Sequence, residues 1–69
     1  MNPLKMVSDC FRKHGFISRS MLKEVFADIL SEKQIRILIS KMEDVGIIQK
    51  EGAGKYTRYT KTPDFPSFV

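Results

Sequence analysis

Between residues 50 and 61 the chain carries four cations, Lys50, Lys55, Arg58 and Lys61, against one acid, Glu51. Four minus one leaves +3 in a short segment, the kind of cluster that neutralises phosphate charge. Gly52 and Gly54 let the backbone approach an anion closely. Lys55, beside them, and Arg58 are therefore the strongest candidates for phosphate contacts, and Thr57 offers a hydroxyl. The plainer reading is a solvated hairpin whose lysines protect its edges.

A second set lies on the segment before it. If Ile35, Leu38, Ile39 and Met42 face inward, then Lys33, Arg36, Ile37, Ser40 and Lys41 lie outward or on the flanks. Arg36 can donate a bidentate pair to guanine O6 and N7. Lys33 and Lys41 can reach phosphates, and Ser40 can donate to a base or a phosphate. Gln34 could read adenine, but a capping role competes. Ile37 could pack on thymine methyl groups, mark a protein interface, or be partly buried against the preceding helix. Glu32 and Asp44 repel phosphate, so this face is not strongly basic, and an ordinary solvated face would also explain its polar residues. Arg19, between Ser18 and Ser20 at a helix start, could meet a phosphate where amides and dipole favour anions.

Other chemistries find no support. Gly52-Ala53-Gly54-Lys55-Tyr56 looks like part of a phosphate-binding loop, but that loop needs a glycine five residues before its Gly-Lys pair and Ser or Thr after it. Gln49 and Tyr56 stand there instead. His14 and Cys10 form an i, i+4 pair, yet two ligands do not make a structural zinc site, which needs four. His14 is expected to be a partly buried core residue. With one histidine, no nucleophile–base–carboxylate set can be assembled, and the expectation is no enzyme activity, no metal and no cofactor.

The 69 residues make one domain, 42% hydrophobic and 29% charged, with net charge +4. A domain of this size buries only roughly 60% of its unfolded surface, so the core must be small and close-packed. No apolar run approaches the roughly 20 residues of a membrane span, and the N-terminus lacks a signal-peptide pattern. The expected location is the cytoplasm, associated with the nucleoid, or the nucleus in a eukaryote. Cys10, the only cysteine, is expected in the core.

These side chains need elements to position them. Asn2 and Pro3 open a helix running to His14, with Leu4, Val7, Cys10, Phe11 and His14 on one face and Gly15 at its end. Phe16 and Ile17 are too short for a full strand and could pair briefly with a strand from elsewhere. Ser18 or Ser20 caps a second helix with apolar positions Met21, Leu22, Val25, Phe26 and Ile29. Ser31 and Gln34 form a capping box for a third, with Ile35, Leu38, Ile39, Met42 and Val45 as its stripe and Gly46 as its end. Glu43 and Asp44 in its last turn oppose the helix dipole. A strand over 47–51, a turn over 52–55 and a returning strand over 56–61 follow as a hairpin. Residues 63–69 hold two prolines and should be irregular, with Phe65 and Phe68 either folded back or free to meet a partner.

This order resembles the winged-helix superfamily of DNA-binding domains. The stretch SEKQIRILISKMEDVGIIQKEGAGKYTRY, residues 31–59, carries most of the likeness. Family members often show a serine-capped recognition helix, an L-x-x-x-G-[LI]-[IV] motif, a charged strand, a Gly-rich wing and an aromatic-bearing strand. Met42-Glu43-Asp44-Val45-Gly46-Ile47-Ile48 fills the motif, with Met42 for leucine. The wing and the segment bearing Tyr56 and Tyr59 are similar to the C-terminal winged helices of Fic-type and RecG-like divergent ATPase proteins.

The resemblance implies an α+β fold: a three-helix winged helix-turn-helix over residues 1–62 with a C-terminal β-hairpin wing, then a tail over 63–69. It implies double-stranded DNA as the partner, with helix 3 in the major groove and the wing on the backbone or minor groove. The expected role is a small transcriptional regulator or a DNA-targeting module of a larger protein, as a monomer or weak homodimer. Some relatives bind only protein, so the alternative is a protein-interaction winged helix without DNA binding.

Overall fold

The computed structural model describes residues 2–67. Three helices precede a two-stranded antiparallel hairpin: α1 Pro3–His14, α2 Arg19–Val25, α3 Glu32–Asp44, β1 Ile48–Glu51 and β2 Arg58–Lys61. The fold class is α+β, and the arrangement is consistent with a winged-helix layout.

Local chemistry sets most boundaries. Asn2 Oδ1 accepts the Leu4 amide at 3.1 Å, Pro3 occupies the first turn, and Arg12, Lys13 and His14 complement the dipole at the other end of α1. Ser18 Oγ accepts from Met21 N–H at 3.2 Å, so Ser18, not Ser20, caps α2. The capping box of α3 is complete: Gln34 N–H donates to Ser31 Oγ at 3.2 Å, and Ser31 N–H to Gln34 Oε1 at 2.9 Å. At its far end Gly46, with φ +79°, donates to the Glu43 carbonyl while Ile47 N–H reaches the Met42 carbonyl. That paired closure is a Schellman motif, which needs the left-handed conformation glycine adopts most readily. Glu43 and Asp44 make no ion pair among the described residues, and Lys41 is the basic residue in the same turn.

The core gathers Val7, Cys10 and Phe11 from α1, Ile17, Leu22 and Phe26, Ile35, Ile39 and Met42 from α3, and Ile48 and Tyr59 from the hairpin. No buried polar or charged residue occurs among the described residues. Several expectations are corrected here. α2 stops at Val25, because the chain turns over Phe26 and the next residues to reach the Ser31 cap; Phe26 stays buried, while Val25 and Ile29 rotate outward and are exposed. Val45 is 69% exposed: it lies two turns along from the half-buried Leu38, on an edge of the stripe that nothing covers there. His14 is not a core residue but is exposed at the end of α1, beside the Phe16 ring.

The hairpin pairs Ile48 with Lys61, Gln49 with Thr60, Lys50 with Tyr59 and Glu51 with Arg58. β1 starts at Ile48, one residue later than expected. The returning strand starts at Arg58 rather than Tyr56, because residues Gly54–Tyr56 form a 3₁₀ turn closed by Thr57 N–H on the Gly54 carbonyl. Ile17 then bridges β2 on its other side: Ile17 N–H donates to the Tyr59 carbonyl at 2.9 Å and Tyr59 N–H returns the bond at 2.8 Å. After the hairpin, Thr62 Oγ1 donates to the Gly46 carbonyl at 2.6 Å. Phe65 folds back edge-to-face on Phe11, with ring centroids 5.3 Å apart. Phe68 lies outside the described residues.

Candidate nucleic-acid interface

The Ile17–Tyr59 bridge decides what the cations can do together. It ties the connector between α1 and α2 to the middle of β2, so the start of α2 stands directly against the wing. Between them opens a groove of ≈ 390 Å³ lined by Ser18, Arg19, Ser20, Lys50, Gly54, Lys55, Thr57 and Tyr59. Arg19, Lys50 and Lys55 supply three positive charges, and no acid lines it. A second, smaller recess of ≈ 230 Å³ continues from Arg19 toward α3, lined by Arg19, Lys23, Glu32 and Arg36. Arg19 belongs to both. The two recesses therefore join the wing to α3 through one cationic path, Lys55 and Lys50 to Arg19 to Arg36.

Arg58 is not on that path. Side chains alternate across a strand, and Tyr59 with its partner Lys50 faces the groove. Arg58 and its partner Glu51 therefore lie on the hairpin's other face. There Arg58 Nε sits 3.9 Å from the Glu51 carboxylate, and its guanidinium lies 5.3 Å from the Phe16 ring centroid. Thr57 does line the groove, but its hydroxyl donates to the Gly54 carbonyl at 2.8 Å. That proton braces the wing and is not free for a phosphate. Ser18, by contrast, accepts with its oxygen and keeps its hydroxyl proton available.

On α3, Lys33, Arg36, Ile37, Ser40 and Lys41 are all exposed, as the helical periodicity requires. Ile37 is 43% exposed and lies along a shallow, mainly apolar groove with Pro3, Leu30, Gln34, Leu38 and Lys41. In that groove it lies beside Pro3 at the start of α1 and Leu30 in the segment entering α3. Gln34 is committed to the capping box through Oε1. Over α3 three cations, Lys33, Arg36 and Lys41, stand against three acids, Glu32, Glu43 and Asp44. The helix is thus neutral, whereas the groove where α2 meets the wing is lined by three cations and no acid.

Two groove cations were not singled out from sequence as contacts. Lys50 appeared there only in the charge count, because which side of the hairpin it faces depends on its register with Tyr59. Lys23 stands four residues after Arg19, a spacing that puts both on one face of α2; that signal was present but rests on the helix continuing through both.

No family model matches the chain, and no curated protein or solved structure does either. Among the described residues no helix is long and apolar enough to cross a membrane.

Proposed function

We propose that this chain is a winged-helix module that binds double-stranded DNA, with α3 presented to the major groove and the hairpin wing lying along the backbone. The observation that carries this reading is the acid-free groove of Arg19, Lys50 and Lys55, continuous through Arg19 with Arg36 on α3. Phosphate contacts in the groove and through Arg36 supply affinity, and the other exposed residues of α3 supply selectivity. A role as a small regulator of transcription or as the DNA-targeting part of a larger protein fits this division of labour.

The test is anisotropy with a labelled random-sequence duplex, titrated at several salt concentrations. If Arg19, Arg36, Lys50 and Lys55 each neutralise one phosphate, affinity falls with a log–log salt slope of about −3.6, or about 150-fold between 50 and 200 mM salt. Lys50→Ala should reduce the slope by about 0.9, while Lys5→Ala, on exposed α1 surface, leaves it unchanged. A folded protein without salt-sensitive binding would sink the reading. The apolar groove around Ile37, Pro3 and Leu30, beside an electrically neutral α3, favours a second reading: a protein partner docked on that face. It predicts that Ile37→Glu abolishes partner binding and that no duplex binds.

A further inference from the structure

The recess at the junction of α2 and α3 holds a carboxylate among three cations. Glu32, the first residue of α3, is ion-paired with Lys23 of α2, and Arg19 and Arg36 line the same recess. The side chain of Glu32 is 74% exposed, so this pair is not a buried tie that the fold requires. Surface pairs of this kind contribute little to stability. Their interest here is positional. Arg19 already lines the acid-free groove, and Arg36 is exposed on the adjoining face of α3. A backbone phosphate following the path from one to the other meets the Glu32 carboxylate on the way.

Resting on the DNA-binding reading, we propose that Arg19, Lys23 and Arg36 form a second phosphate subsite. In the free protein the Glu32 carboxylate holds the place of a phosphate oxygen, and a phosphodiester of the DNA backbone must displace it. Binding at this end of the surface is an exchange of one anion for another. The Lys23 hydrogen bond, with the charges of Lys23, Arg19 and Arg36, holds the Glu32 carboxyl below the ordinary carboxylate range. Glu32 therefore stays ionised at neutral pH, and the exchange is not bypassed by protonation. The consequence is an affinity brake that acts on all sequences alike, because it works through phosphate and not through a base edge.

The test compares the full chain with Glu32→Gln, using a random-sequence duplex across a range of salt. Removing one repelling charge at contact distance in water should tighten binding about five-fold. The same phosphate is neutralised in both complexes, so the salt slope should stay close to that of the native chain while the affinity rises. Glu32→Ser, which keeps a residue suited to a helix start, should give the same gain. Adding Lys23→Ala to Glu32→Gln should remove it, since Lys23 becomes a phosphate ligand once released. Asp64→Asn makes the same change in net charge outside both recesses, and sets the baseline for bulk charge. If the native chain binds with a steep salt slope and Glu32→Gln matches Asp64→Asn, the subsite is overturned while DNA binding stands. Weaker binding by Glu32→Gln overturns it too, because the carboxylate would then be a contact in its own right. If neither the native chain nor Glu32→Gln binds any duplex, the underlying reading has failed and the subsite with it.

Discussion

Gly52 and Gly54 both have positive φ, 79° and 61°, yet alanine should affect them unequally. At Gly54 a Cβ would meet nothing within 4 Å. The cost there is the left-handed backbone alone, about 1–2 kcal/mol, offset in part by about 0.4–1 kcal/mol from a less flexible unfolded chain. At Gly52 a Cβ would stand 2.6 Å from the Tyr56 carbonyl oxygen and 3.3 Å from its carbon. These are backbone atoms, so the wing tip itself must move. Moving it strains the Tyr56 amide bond to Ala53, the Thr57 amide bond to Gly54 and the Thr57 hydroxyl bond to the same carbonyl. Each exposed bond is worth about 0.5–1.5 kcal/mol. Gly52→Ala should therefore cost about 2–3 kcal/mol against about 1 kcal/mol for Gly54→Ala. In a domain of this size 1 kcal/mol lowers the melting temperature by about 4–8 °C. Thermal melts followed by far-UV circular dichroism should put Gly54→Ala about 4–8 °C below the native protein, and Gly52→Ala at least as far again below that. The wing tip carries Lys55, so Gly52→Ala should also weaken duplex binding more than Gly54→Ala does. A Gly52→Ala protein that melts at or above Gly54→Ala would refute the steric reasoning, and with it the described shape of the wing.

Three further outcomes follow from packing, hydrogen bonding and burial. Phe65→Ala removes the edge-to-face partner of Phe11 and should cost about 1–3 kcal/mol in urea denaturation; Thr62→Val, which loses the bond to the Gly46 carbonyl, should cost about 0.5–1.5 kcal/mol. No change in either would mean that the segment after β2 contributes nothing to the domain. Burial pushes the Cys10 thiol above its ordinary range, with Asp9 raising it further and Lys13 opposing. The folded state therefore favours the protonated thiol, a contribution present below the unfolded pKa and lost as pH rises through the folded one. Alkylation of Cys10 at pH 8 should be much slower in the native protein than in urea, and equal rates would show that the thiol is not enclosed.

Much of the fold was legible in the residues because helix ends are local chemistry. Asn2 before α1, and Ser31 with Gln34 at the start of α3, satisfy orphan amides within a few residues of themselves, and Gly15 and Gly46 close α1 and α3 just as locally. The apolar stripes of α1 and α3 followed from periodicity, apart from their ends. His14 and Val45 continue the period but lie where no neighbouring element covers them. The extent of α2 was harder to see, since Met21, Leu22, Val25, Phe26 and Ile29 spell a longer helix than the chain can hold before it must reach the Ser31 cap.

The cations divide in the same way. Sequence alone determined that Lys33, Arg36 and Lys41 leave the core and that the hairpin is basic, because outward positions on a helix and charge counts need no tertiary partner. Which of them share a surface was decided only by the tertiary structure. Arg19 meets Lys50 and Lys55 because two backbone hydrogen bonds join Ile17 to Tyr59, residues far apart in the chain. Lys50 faces the groove and Arg58 turns away because the hairpin register pairs Lys50 with Tyr59, and a shift of one residue would have put both cations on the same face. That Ile17 could pair with some strand was legible, but which strand and at which residue carries no mark in either segment, so the meeting of these charges exists only once the chain has folded.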